Sequence, residues 1–472
     1  MPEVNFSVSA FELILAGLVA VILIFACGMI YSVRLHSPPK HEDLSVVQSM
    51  KAPDDTVFPL LQPHLISIDE IAKLGYSSVL SLVQILIGVR PTCDMALQIW
   101  PPAFESYNII VPNFLNLPEI ILGVKGSLSA KLCSIAMYES SRANECAYCT
   151  SHCCSFGIRR GLDREAFGDS KNRTAEQVAV ANVAYSLGTV PCSLKQEHVR
   201  EIFRTLSTNE IDWVVAATAM FGSFNKLMDG LGIPLEPDTF AETVGIMDSK
   251  YSVNKAGTML GLNQTETKDK NRTVKPLPPV DSWTTKLAVV YHGLRPDGAL
   301  ALDRKLLKDV PVSTVSDCMQ LLDDRIGHSF VGIIDKLQQT RVRRAVVAVM
   351  LKNMTEITSA GLGMKRKLSI GIEYCHILEN PRLEAMLLGI TNCRFGNEEL
   401  HDGNSQYTQL ILKVGKALSY APSGMTESLV REIRECPELT AAMLVELVSF
   451  LATVQMLHRF ESFYNVVSMT SL

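Results

Sequence analysis

The chain lacks an excess of charge of either sign. Its 472 residues carry 44 basic against 49 acidic side chains, a formal charge of −5, and no run of like charges forms a tail. That leaves no electrostatic case for a nucleic-acid partner. It also lacks a Gly-x-Gly-x-x-Gly, a P-loop, a His-Glu-x-x-His and a Gly-x-Ser-x-Gly in working context. Those absences remove the nucleotide, zinc-protease and serine-hydrolase readings that such motifs would license. There is no second Cys-x-x-Cys and no His-x-His pair, so a four-ligand zinc site is not assembled from sequence neighbours. Twelve cysteines are present, but only those at 146, 149, 153 and 154 cluster. A secreted disulfide framework concentrates its pairs in a small domain, so this spread favours a reducing compartment. Five Asn-x-Ser/Thr sequons, at Asn5, Asn172, Asn263, Asn271 and Asn353, are what chance supplies in a chain of this length.

One long uncharged run is present. Leu13 to Val33 is 21 residues without a charge, about 31 Å of helix at ~1.5 Å per residue, which matches a hydrocarbon core. The residues ahead of it carry Glu3 and Glu12 and no Lys or Arg, so the basic n-region of a cleaved signal peptide is missing. Arg34, Lys40 and Lys51 follow the run. The positive-inside rule then predicts a single-pass membrane protein with its C-terminal bulk in the cytoplasm. The apolar stretch Leu444 to Val454 carries Glu446 and suits a core helix instead.

The pattern divides the rest. Residues 1–12 form a short tail and 13–33 the membrane helix. Residues 34–62, with Pro38, Pro39, Pro53 and Pro59, read as a linker. Residues 63–237 form a first helical domain, 238–282 a second linker that includes the polar, Pro-ended stretch Asn263 to Pro279, and 283–472 a second helical domain. The two domains read as a duplication. Ser155 to Ile158 matches Ser369 to Ile372, and Val199 to Ile202 matches Val430 to Ile433, each ahead of a long apolar helix. In that register Cys146, Cys149 and His152 face Ala360, Gly363 and Arg366, so the second copy is degenerate.

The chemistry concentrates in Asn144 to Cys154, NECAYCTSHCC. Cys146, Cys149 and His152 follow at successive steps of three, which places them on adjoining turns of a helix. Asn144 is a good N-cap. A helix starting there puts Cys146 in its first turn, where bare N–H groups favour a thiolate. Two thiols and an imidazole so placed can perform thiol–disulfide chemistry, one sulfur attacking, the other closing a disulfide, the ring moving the proton. Cys153 shares that face as an extra resolving thiol, whereas Cys154 points toward the core. A zinc site and a set of inert buried cysteines are the competing readings. Cys375 and His376 are adjacent in sequence and diverge by about 100° on a helix, so they form no rival centre.

Three pieces, CAYCTSHCCSFGIRRGLDREAF, LSAKLCSIAMYESSRANE and LSTNEIDWVVAATAMFGSFNKLMDGLGIPLE, give the chain a resemblance to the carboxymuconolactone decarboxylase / alkylhydroperoxidase D-like superfamily over about residues 60–237. The resemblance implies an all-α fold of two tandem domains of that type behind the membrane helix. It also implies peroxide reduction, with Cys149 as the peroxidatic thiol, Cys146 as the resolving thiol and His152 in the proton relay. The partners implied are a hydroperoxide substrate, a dithiol electron donor and, as in many family members, further copies of the chain. No organic cofactor and no metal are implied. Redox members often carry a Glu about twelve residues before the first Cys, where this chain has Ser134. Glu139 is the nearest replacement and Glu145 a lesser one. The alternatives are lactone decarboxylation, which founding members perform without redox thiols, and a redox-sensing or scaffold role at a membrane.

Overall fold

The computed structural model describes residues 44–49, 53–124, 128–168, 170–243, 246, 280–310, 314–356, 361–396 and 406–470. Every regular element among them is helical. The run Leu13 to Val33 and the stretch Asn263 to Pro279 lie outside the described residues.

Two long helices form the axis. Thr208–Leu231 begins at a capping box in which Ser207 accepts from the Glu210 N–H, and it ends at Gly232 with φ 65°. Ala441–Met469 begins at Thr440, whose side chain accepts from the Met443 N–H. Both are apolar around most of their circumference, and both are buried along most of their length. They pack lengthwise on each other. Small residues permit the approach: a Cβ on Gly230 would stand 2.8 Å from Val448 Cγ1. By length and composition Ile68–Ile87 and Ala441–Met469 are both apolar enough to cross a membrane, which the sequence reading allowed only for Leu13 to Val33. Burial decides for Ala441–Met469, since 83% of its apolar window is covered by protein. Its Glu446 is held by Lys367 at 3.0 Å.

The helix order recurs along the chain. Pro101–Phe114 and Thr340–Asn353 have 14 residues each and pack together. Ala130–Ala143 and Met364–Ile377 also have 14 each. Each is followed by a Glu with positive φ, Glu145 at 56° and Glu379 at 52°, and then by a capped helix, Ala147–Arg159 or Pro381–Phe395. Ala175–Gly188 and Gln406–Ser419 follow, again 14 each. This corrects the register read from sequence. Ser369 to Ile372 belongs to the helix before the turn, not to the one after it, so Cys146 corresponds to the N-cap Asn380, Cys149 to Leu383 and His152 to Met386. A four-residue identity misled because caps and turns, not isolated apolar matches, fix where a helix starts.

Two buried cations cross between the halves. Lys226 Nζ donates to Leu418 O and Ser419 O at 3.0 Å each and to Tyr420 O at 2.8 Å. Arg459 donates to Ser140 Oγ, to Thr218 O at 3.0 Å and to Gly188 O at 3.5 Å. The described parts of the expected linkers pack on the helices. Phe58 and Leu61 are buried in the first. The second begins with a docked helix, Pro237–Thr243, whose Glu242 ion-pairs with Arg159 at 3.0 Å. On its far side Asp281 ion-pairs with Arg160, and its N–H donates to Arg159 O at 3.0 Å.

Candidate functional site

The helix Ala130–Ala143 ends at Asn144, which is its C-cap rather than the next helix's N-cap. The Asn144 amide donates to Gly188 O at 3.0 Å, so that side chain is committed elsewhere. Glu145 turns the chain with φ 56°, and Cys146 itself becomes the N-cap of Ala147–Arg159, its Sγ accepting from the Cys149 N–H at 3.4 Å. The sequence placed the cap two residues early, because Asn is a strong cap by type and a thiol is not. The local pairing is nonetheless made: the sulfur of Cys146 lies against the first turn that carries Cys149.

The cysteine helix is buried on every face. Along it an apolar cavity of about 70 Å³ is lined by Cys149, His152, Cys153 and Tyr148, with Cys93 joining the wall from elsewhere and Phe156, Phe221 and Phe224 among its aromatic lining. Cys149 faces this space, whereas Cys146 is fully buried and is absent from the wall. Cys153 also reaches the wall, its Sγ 3.7 Å from Ser141 Oγ. Cys154 is buried away from it.

Burial governs the thiols. It pushes Cys149 up to about 11, with the charges of Cys153, Asp229 and Cys93 adding to the rise and the hydrogen bond with Cys146 opposing it. Cys146 is pushed well above the ordinary thiol range by the same desolvation. The sequence expectation of a thiolate acidified by the helix terminus is therefore reversed: loss of water outweighs the end of the helix. At neutral pH the resting dithiol is protonated, and a base must act for it to attack.

His152, named from the sequence, is faced by a carboxylate that sequence reasoning missed. His152 Nε2 stands 2.9 Å from Glu236 Oε2, close but out of line for a hydrogen bond, and Nδ1 has no hydrogen-bond partner among the described residues. Glu236 Oε1 accepts from the Tyr148 hydroxyl at 2.9 Å and from the Thr92 N–H at 2.5 Å. Tyr148 and His152 are one turn apart, their rings 4.5 Å between centroids, so one carboxylate engages two wall residues of the same helix face. Burial pushes the Glu236 carboxyl up, but His152 and the donated hydrogen bonds bring it below the ordinary range. Beside it Asp94 is raised to about 8 by burial and by the charge of Glu236, with Arg90 opposing. One signal for Glu236 lay in the sequence: it is a lone acid in Gly232-Ile-Pro-Leu-Glu-Pro directly after a long apolar helix.

Glu139 does not join this cluster. Its carboxylate is 1% exposed and bound by Arg142 at 2.6 Å and by Arg173. It lies outside the cavity wall. Glu145 is exposed on the turn. Ser134, where the resemblance looked for a carboxylate, donates its hydroxyl to Ala130 O at 2.6 Å. Among the described residues no three His, Cys, Asp or Glu side chains converge to hold a metal ion. His376, beside the buried Cys375, is turned outward to Glu384 at 2.9 Å.

No family model and no curated protein matches the chain. A solved structure, described as the crystal structure of the debrominase Bmp8 in its apo form, is similar at 20% identity and a TM-score of 0.33, over 38% of this chain and 93% of that one. A likeness that low carries no argument about this chain, and the site's own geometry is what remains.

Proposed function

We propose that the chain is a membrane-anchored, thiol-dependent peroxidase or disulfide oxidoreductase. One observation supports this reading above the others: Cys149 opens on an apolar cavity beside His152, while the Cys146 sulfur lies against its N–H at 3.4 Å. In the proposed reaction His152 takes the Cys149 proton and the thiolate attacks a hydroperoxide oxygen. The O–O bond breaks, the proton passes to the departing alkoxide, and Cys149 becomes a sulfenic acid. The Cys146 thiol attacks that sulfur, water leaves, and a Cys146–Cys149 disulfide forms. A dithiol donor reduces it by two exchange steps. The apolar wall selects a substrate with a hydrocarbon body.

The anchor is Leu13 to Val33, with the bulk of the chain on the cytoplasmic side. The two helical halves arose by duplication, and only the first retains thiols at the turn, since Asn380 and Leu383 stand where it has Cys146 and Cys149. Deep burial of Cys146 favours one further reading, a redox sensor. Oxidation there would remove the thiol that caps the helix, and the chain would respond once rather than turn over.

The deciding experiment uses the full chain in detergent micelles, reduced, with tert-butyl hydroperoxide and either dithiothreitol or a dihydrolipoyl donor. Wild type consumes peroxide continuously, Cys149→Ser consumes none, and Cys146→Ser accumulates a Cys149 sulfenic acid, trapped with dimedone before donor is added, where wild type forms the disulfide. Single oxidation by wild type supports the sensor instead, and no thiol-dependent consumption at all removes both readings.

A further inference from the structure

Glu236 is 2% exposed, and a carboxylate this deep is destabilising unless its partners compensate. Nothing in the two-thiol chemistry requires it. It reaches the cysteine helix from the residue just before Pro237–Thr243, after the full length of the central helix. Its two oxygens are used differently. Oε1 is filled by the Thr92 N–H and the Tyr148 hydroxyl. Oε2 has only the imidazole, 2.9 Å from Nε2. Both partner side chains line the cavity that contains Cys149.

A carboxylate at one ring nitrogen decides what the other can do. Neither ring nitrogen makes a hydrogen bond among the described residues, but Nε2 stands 2.9 Å from the Glu236 carboxylate, so Nδ1 is the nitrogen left for exchange. Resting on the peroxide-reducing reading, we infer that Glu236 is the positioning carboxylate of this site, holding the His152 ring and the Tyr148 hydroxyl in one orientation so that Nδ1 accepts the thiol proton and returns it to the alkoxide. Glu139 is instead bound in a separate ion cluster with Arg142 and Arg173.

The surroundings keep Glu236 the anion of the group. It is faced by Tyr148 and His152 on the cysteine helix, by Cys93 and Asp94 on the segment that follows Thr92, and by Tyr107 on Pro101–Phe114. Of these, Asp94 is the nearest competitor for a negative charge, and its carboxyl holds a proton up to about pH 8. Arg90 is the cation that acts on Asp94.

The test uses the full chain with Glu236→Gln, Glu236→Asp and Tyr148→Phe, each checked by thermal melting. One readout is independent of any peroxide: the tautomer of the His152 ring, read from the 15N shifts of ring-labelled histidine, its signal assigned by loss in His152→Gln. The ring proton sits on Nε2 beside the carboxylate in wild type, Glu236→Gln mixes the tautomers, and Glu236→Asp keeps most of the wild-type preference. The second readout is single-turnover oxidation of Cys149 by tert-butyl hydroperoxide. It slows about 10- to 100-fold in Glu236→Gln, and Glu236→Asp recovers part of the rate. If Glu236→Gln does not fold, Glu236→Asp and Tyr148→Phe carry both readouts with smaller changes in the same direction. An unchanged ring tautomer in the folded variants overturns the inference. Wild-type chain that leaves Cys149 reduced removes the peroxide reading, and the ring tautomer then still decides whether Glu236 positions His152.

Discussion

Lys226 and Arg459 stand at matching turns of the two central helices, and each delivers its charge to groups of the opposite half. Lys226 ends on the carbonyls that close Gln406–Ser419, and Arg459 ends on the carbonyl that closes Ala175–Gly188. Burial draws the Lys226 ammonium down to about 7, and its three backbone acceptors are what water no longer provides. Lys226→Met keeps the volume and strands those acceptors. The variant loses on the order of 3 kcal/mol of unfolding free energy, from the desolvation of unpaired buried carbonyls. Chemical denaturation of the full chain checks this, and a loss below about 0.5 kcal/mol would mean that the clasp contributes only shape.

Asp94 sets a slope in stability against pH. Its carboxyl titrates at about 8 in the folded chain and at about 3.9 when unfolded. Between those values the unfolded chain has released the proton that the folded chain retains, so this group's contribution falls as pH rises from about 4 to about 8 and then levels off. Asp94→Asn removes that loss. Its melting temperature relative to wild type rises between pH 5 and pH 8, and a constant difference across that window would contradict the assignment.

Cys149 alkylation reports the buried thiol directly. With the group near 11, the thiolate fraction, and with it the rate of modification by N-ethylmaleimide, climbs about tenfold per pH unit from 7 to 10. Mass spectrometry of the Cys149 peptide at short times measures it. A plateau below pH 8 would show an acidified thiol, as the helix-terminus argument from sequence expected.

Glu139→Gln separates structure from chemistry. The change leaves Arg173 buried against a neutral amide and lowers stability by about 3 kcal/mol. It leaves the rate of Cys149 oxidation within about twofold of wild type, because the side chain lies outside the cavity wall. Parallel melting and single-turnover measurements decide, and a tenfold loss of rate in folded Glu139→Gln would return this carboxylate to the site.

The sequence made the helical class legible through apolar periodicity, and it located the cysteine turn through residue type and spacing. What it concealed were features set by tertiary context. Asn144 has the better capping side chain, but Gly188 from another helix takes its amide, and the cap falls to Cys146. Cys146 and Cys149 sit at a helix start, which alone would acidify them, but the packing around them excludes water. Glu236 lies far down the chain and carries no periodic signal, and only the docking of Pro237–Thr243 brings it to His152. The repeat register failed for a similar reason: Ser155 and Ser369 share a short motif but occupy helices on opposite sides of the recurring turn.

Arg159 and Arg160, the last residues of the cysteine helix and its cap, hold Glu242 on one side and Asp281 on the other. The polypeptide therefore departs from and returns to a single spot on the molecule. Two consecutive cations at one helix end thus fix where the first half leaves off and where the second takes up, and losing either one frees only one side of that junction.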